Sequence, residues 1–173
     1  MCIRDRHKAW PKLKDLFKKS FGSSLHFSVA SVDQDVNPHV TPIGSFILGE
    51  PGKAIYFEEF TRKLPDNCEA QNRICVLAVN SNRLFWVKSL FLGKFVDPPA
   101  VRLYGTVGSK RIATETEIKL WRKRVRMFSL TKGHKIMWQN MKTVREVEFN
   151  RCEQVNIGRM TKQAWGSVSS KSA

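Results

Sequence analysis

"FTRKLPDNCEAQNRICVLAV", residues 60–79, places a hydroxyl and two cations, Thr61, Arg62 and Lys63, before a short polar stretch and an apolar run. The polar stretch "LPDNCEAQN" (64–72) has the length of a short helix opened by Pro65. "RICVLAVN" (73–80) reads as a near-continuous apolar strand, which predicts burial on both faces. The triplet thus stands where one strand stops and a helix begins. Arg62 offers a planar fork, Lys63 a mobile point charge and Thr61 a hydroxyl, and a helix start adds unpaired backbone N–H groups. Such a set suits a phosphate monoester; the competing reading is a pair of solvated loop charges.

The strand entering the triplet is "AIYFEEF" (54–60), reached through the turn "EPGK" (50–53). Before it, Leu25, Phe27, Val29 and Ser31 alternate with their neighbours as a strand that stops in "VDQDVNPH", a hairpin loop of Asp, Asn and Pro. The chain resumes as "VTPIGSFIL" (40–48), where Pro42 and Gly44 predict an edge or a bulge, a place where backbone can approach a ligand. Trp10, Leu13, Phe17 and Phe21 recur at helical spacing over residues 9–21, with Pro11 suited to a first turn and Gly22 to the end.

Beyond residue 80, "RLFWVKSLFLGKF" (83–95) and "AVRLYGTVGS" (100–109) read as two strands parted by "VDPPA". Thr114 and Glu117 form a capping box that opens a helix with the apolar stripe Ile118, Trp121, Val125 and Phe128. Residues 144–157 alternate as a closing strand. Six or seven mostly antiparallel strands with flanking helices predict a mainly β protein, a small barrel that closes to remove its edges.

The 173 residues fit one domain, taken as 9–160, with an N-terminal extension over 1–8 and a flexible Ser- and Lys-rich tail over 161–173. The leading "MCIRD" reads as translated adapter text and carries no functional weight. A hydrophobic fraction of 42% supports a packed core. The net charge of +15 is uneven: from Val101 onward 16 basic residues face 5 acidic ones. Nucleic acid, an anionic membrane or a phosphorylated small molecule are all compatible partners.

Cys2, Cys68, Cys75 and Cys152 form no C-x-x-C pair, which argues against a zinc site or a dithiol and for buried thiols in a reducing cytoplasm. No apolar leader and no membrane span is legible. His39 is a surface-loop histidine by default and a proton donor or haem ligand by alternative; His7, His26 and His134 lack metal-ligand spacing, so no metal site is assigned. The cations of the 115–127 helix surround a stripe in which Trp121 reads as core, leaving no aromatic platform for bases and making nucleic acid the subordinate partner. The aromatic run at 83–95 fits core or a dimer interface better than a membrane contact. No dinucleotide fingerprint, P-loop or Ser-His-Asp pattern is present.

In its order of elements, residues 25–80 resemble the FMN-binding split-barrel family that includes pyridoxamine 5′-phosphate oxidases. The correspondence runs through the hairpin "ASVDQDVNPHVTPIGSFIL", the strand "AIYFEEF", the triplet "TRK" and "EAQNRICVLAV"; "VRLYGTVG" and "RIATETEIKLW" resemble the later strand and helix. Asn72 stands where the family has proline, and the arginine-rich C-terminal strand of true pyridoxamine phosphate oxidases is missing, so the resemblance does not imply that reaction. It implies FMN in a cleft of a homodimer, its phosphate on Thr61, Arg62 and Lys63 and its ring beside Val40, Thr41, Pro42 and Ile43. Phe57 and Glu58 are secondary candidates, and Trp138 is either packing or a partner-subunit cover. The implied activity is hydride transfer to or from an unidentified small molecule, with a hydrogen bond from the Thr41 to Ser45 strand. A non-catalytic protein of the same fold, with haem or a deazaflavin as alternative cofactor, is the second reading; a basic nucleic-acid-binding barrel is the third.

Overall fold

The structure, a computed structural model, describes residues 3–138 and 140–165. The chain runs α1 (Ile3–Ser24), β1 (Phe27–Val32), β2 (Pro38–Ile43), β3 (Ile47–Leu48), β4 (Lys53–Phe57), α2 (Lys63–Ala70) and β5 (Arg73–Val79). It continues with α3 (Arg83–Leu92), β6 (Ala100–Ile112), α4 (Glu115–Val125), α5 (Lys132–Met137) and β7 (Thr143–Gln154). Seven strands form one antiparallel sheet in the order β2-β1-β5-β6-β7-β4-β3.

The sheet is mainly antiparallel with flanking helices, as the sequence predicts, but it does not close. Among the described residues β2 and β3 are its two ends. The reason is local: Pro42, Gly44 and a two-residue β3 interrupt what would otherwise be one strand from 40 to 48. Gly105, at a register shift between β6 and β7, permits their close approach, since a Cβ there would lie 2.3 Å from the Glu148 carbonyl oxygen.

The main core is an aromatic chain. Phe17 of α1 meets Phe27 of β1 at 4.8 Å between ring centroids, Phe27 meets Phe46, and Phe46 stacks on Tyr56 at 5.8 Å and tilts against Phe149. Trp10, Leu13, Phe17 and Phe21 all face this core, which fixes α1 against the sheet. A second cluster joins Phe57, Trp121, Val125, Met141 and Val144, with Trp138 edge-on to Trp121. Trp121 and Trp138 are therefore packing residues within this chain.

Several elements differ from expectation. Residues 83–95 contain a helix, not a strand. The Asn82 side chain caps α3 by accepting from Phe85 N–H, Ser89 donates to the Phe85 carbonyl, and Gly93 ends the helix in the left-handed region. Phe85 and Trp86 pack on Phe95, whereas Leu84, Val87 and Phe91 form an outward apolar stripe. In α1, Pro11 lies inside the helix on its exposed face, because burial of Ala9, Trp10 and Leu13 carries the helix past one missing N–H. That helix passes Gly22 and ends at Ser24, where Leu25 takes the left-handed conformation. β5 buries Ile74, Val76 and Ala78 but leaves its other face half-buried. Of the expected 161–173 tail, Ala164 and Trp165 are buried in the main core, and residues 166–173 lie outside the described residues, as does Cys2. No described helix is long and apolar enough to cross a membrane.

The capping box of α4 forms as read, with Thr114 accepting from Glu117 N–H and Glu117 accepting from Thr114 N–H. Arg111 also clamps Glu117 through two N–H donors at 2.9 and 2.7 Å. That guanidinium, above all, draws the Glu117 carboxyl from 4.5 down to about 2. Its stabilising contribution is complete above about pH 4.5 and is lost as pH falls toward 2. Glu117→Gln is expected to lower the urea midpoint at pH 7, with the gap to wild type narrowing as the pH approaches 2; a constant gap across that range would contradict the assignment.

Candidate functional site

β4 runs out at Phe57, and the chain must turn within five residues into α2. A buried charge pair makes that corner. Glu58, 4% exposed, receives Arg145 Nε of β7, and its carboxylate is also approached by Tyr56 Oη at 3.3 Å and Lys110 Nζ at 3.5 Å. Arg145, 5% exposed, extends a second nitrogen to Glu69 of α2 at 3.2 Å. One guanidinium therefore spans the end of β4 and the helix that follows. Glu59 adds a further tie by accepting from Lys142 and Thr143 N–H.

Phe57 and Glu58 face into the protein. The Phe57 ring packs on Trp121, and its N–H and C=O are both bonded to the Ser45 hydroxyl. The Glu58 N–H donates to the Thr143 carbonyl and its own carbonyl accepts from Thr143 Oγ1. Ser45 is thereby committed inward, away from any ligand lying along β2.

Thr61, Arg62 and Lys63 come together at the start of α2. Arg62 occupies the N-cap position and supplies no side-chain bond to the first turn, and Arg62 and Lys63 are exposed. Thr61 Oγ1 is buried and has no hydrogen-bond partner. A buried hydroxyl left unsatisfied costs about 1–3 kcal/mol, so its retention beside two exposed cations fits a group that brings its own acceptor oxygens. Asp66, exposed, is the acid in the same first turn.

The β1–β2 hairpin lies close by. Asn67 of α2 donates to Ser31 of β1 at 3.0 Å in a buried contact. The Asn37 N–H, foremost, and Lys63 among smaller contributions hold the Asp33 carboxyl below its usual range, which places the hairpin turn within reach of the helix start. β2 pairs with β1 along Val40↔Ala30 to Ile43↔Phe27. Val40 and Pro42 are exposed, Thr41 is half-buried beside His39 Nδ1 at 3.4 Å, and Ile43 is buried. The start of α2 thus lies beside β1 and its hairpin turn, whereas Phe57 and Glu58 are held inside the corner that precedes it.

Arg145 went unread in the sequence, although a signal exists. It sits in phase with Val147 and Phe149 on the inward side of β7, and an inward arginine needs a carboxylate. Arg145→Met is expected to cost about 3–5 kcal/mol by leaving the Glu58 carboxylate buried, with Glu58→Gln/Arg145→Met losing much less than the two single changes together. Urea denaturation checks this, and additive losses would contradict the coupling.

Among solved structures, HupZ from Group A Streptococcus aligns at 18% identity over 86% of this chain and 94% of its own, with a TM-score of 0.57. An FMN-binding protein from Syntrophomonas wolfei subsp. wolfei aligns at 14% identity over 88% and 95%, with a TM-score of 0.56. An F420 reductase aligns at 11% identity over 81% and 94%, with a TM-score of 0.52. No protein-family model and no curated protein matches the sequence. The open seven-stranded sheet with flanking helices is the split-barrel fold shared with these structures. The fold to which the hairpin, triplet and strand motifs point is therefore the one the chain adopts.

Proposed function

We propose that this protein binds FMN through Thr61, Arg62 and Lys63 and works as a flavin-dependent oxidoreductase on a small molecule. The observation that carries the reading is Thr61 Oγ1, buried without a partner at the uncapped start of α2 and flanked by two exposed cations. Arg62 and Lys63 hold the phosphate by charge-assisted hydrogen bonds, Thr61 Oγ1 donates to it, and the first-turn N–H groups complete the set. The outer edge of β2, over Val40, Thr41, Pro42 and Ile43, offers backbone donors and acceptors to the ring edge. When bound, the flavin supplies hydride transfer to or from a substrate.

Glu58 and Phe57 serve this site by fixing the corner rather than by touching the cofactor. A homodimer with the flavin between subunits is part of the proposal. It is supported by the exposure of Val40 (61%) on an end strand and by the outward Leu84–Val87–Phe91 stripe of α3. The unpaired thiols Cys68, Cys75 and Cys152 support a reducing, cytoplasmic setting. A deazaflavin in place of FMN is the second reading, supported by the fold shared with an F420 reductase.

Purified protein is expected to be yellow and dimeric, and heat is expected to release FMN, identified by mass spectrometry at one per subunit. Thr61→Ala/Arg62→Ala/Lys63→Ala, folded by circular dichroism, is expected to lose flavin by at least a hundredfold in affinity, the scale of two or more charge-assisted bonds at about 1.5–3 kcal/mol each. Unchanged flavin retention in that variant would overturn the assignment.

A further inference from the structure

Apart from the α2 start, a cleft opens between α1, β3 and the end of α4. Its floor is Phe17, Phe21 and the half-buried Leu48 and Phe128, and its apolar rim carries Leu120 (50% exposed) and Met127 (80% exposed). Lys14, Lys18, Lys123 and Arg124 stand around it, and no carboxylate lines it among the described residues.

Arg124 is the decisive group. Four described arginines are withdrawn from full exposure: Arg102, Arg111, Arg124 and Arg145. Arg102 reaches Glu153, Arg111 reaches Glu117 and Glu146, and Arg145 reaches Glu58 and Glu69. Arg124 alone among them has no carboxylate. It donates to the Phe46 carbonyl and lies over the Phe21 ring at 5.1 Å, and loss of water there lowers its guanidinium to about 10. A partly desolvated cation without a counter-charge is unfavourable, and the cleft beside it is open to one.

Backbone strain marks the same rim. Leu25 holds φ +62°, a conformation uncommon for a residue with a side chain, and its N–H is fixed on the Phe21 carbonyl at 2.8 Å. A Cβ on Gly44 would come within 2.8 Å of the Leu25 carbonyl oxygen, so glycine at 44 is what lets this joint form. The Leu25 side chain, 41% exposed, is thereby presented at the cleft. Such strain persists where surrounding structure holds it, and it clusters at ligand clamps.

We propose that this cleft binds an amphipathic carboxylate. Its apolar body lies on Phe21, Leu48, Leu120 and Met127, and its head group takes on Arg124 the place that glutamates take on the other three withdrawn arginines. Lys14, Lys18 and Lys123 raise the local concentration of the anion and tolerate exchange of its tail. The site is separate from the α2 start and does not depend on flavin.

The probe is decanoate, titrated calorimetrically into the full-length protein below its micellar range, with decanol and decyl phosphate as comparisons. One saturable site per chain is expected, with decanol at least tenfold weaker and decyl phosphate no tighter than decanoate. Arg124→Gln is expected to weaken decanoate at least tenfold. Should that variant fail to fold, Lys18→Glu and Leu120→Asp, both at exposed positions, are expected to weaken it at least threefold while leaving flavin content unchanged. No saturable binding, equal binding of decanol, unaltered affinity in these folded variants, or displacement of flavin by decanoate would each overturn the proposal; tighter binding of decyl phosphate would overturn the carboxylate assignment.

Discussion

The Glu58–Arg145 pair is the constraint on which the rest of the candidate site depends. Both groups are withdrawn from water, so neither can be left alone without a penalty of several kcal/mol. Arg145 belongs to β7 and Glu58 to the residue after β4, and the same guanidinium reaches Glu69 on α2. The last strand among the described residues thereby dictates where the corner between β4 and α2 must lie. Thr61, Arg62 and Lys63 are held at one corner because the residues on either side of them are tied to β7.

The fold places that corner against the β1–β2 hairpin by a second, smaller device. Asn67 and Ser31 bond in a buried position, so α2 cannot slide along β1 without leaving two polar groups unsatisfied. Leu64 and Cys68 on the same helix enter the main core and supply the apolar part of the docking. Charge pair, polar tie and apolar contact together hold one short helix against β7, β1 and the core. A helix of eight residues is marginal by itself, and tertiary contacts are what give its start a defined position.

Much of this was legible in the chain. The alternation read from Leu25, which becomes β1 from Phe27 onward, the Asp- and Asn-rich turn after it and the capping box at Thr114 were legible because each is a local pattern with a local cause. What was not legible is non-local. Residues 83–95 have strand-like composition, and only Asn82 and Gly93 at the ends betray the helix; between them, an outward apolar stripe hides the usual two-faced period. Arg145 looked like one more cation in a basic chain, because its partner lies 87 positions away. Trp165 looked like part of a polar tail, because nothing in the adjoining Ser and Lys residues shows that α1 and the core are waiting for it.

The central claim is that the β4–α2 corner presents its hydroxyl and cations to a phosphate rather than to solvent. It is tested most directly by comparing the affinities of FMN and riboflavin for the emptied wild-type protein, since the two differ only in that group. The account predicts that FMN binds about a hundredfold or more tightly than riboflavin, the gap shrinking as salt screens Arg62 and Lys63. Equal affinities for the two would contradict it.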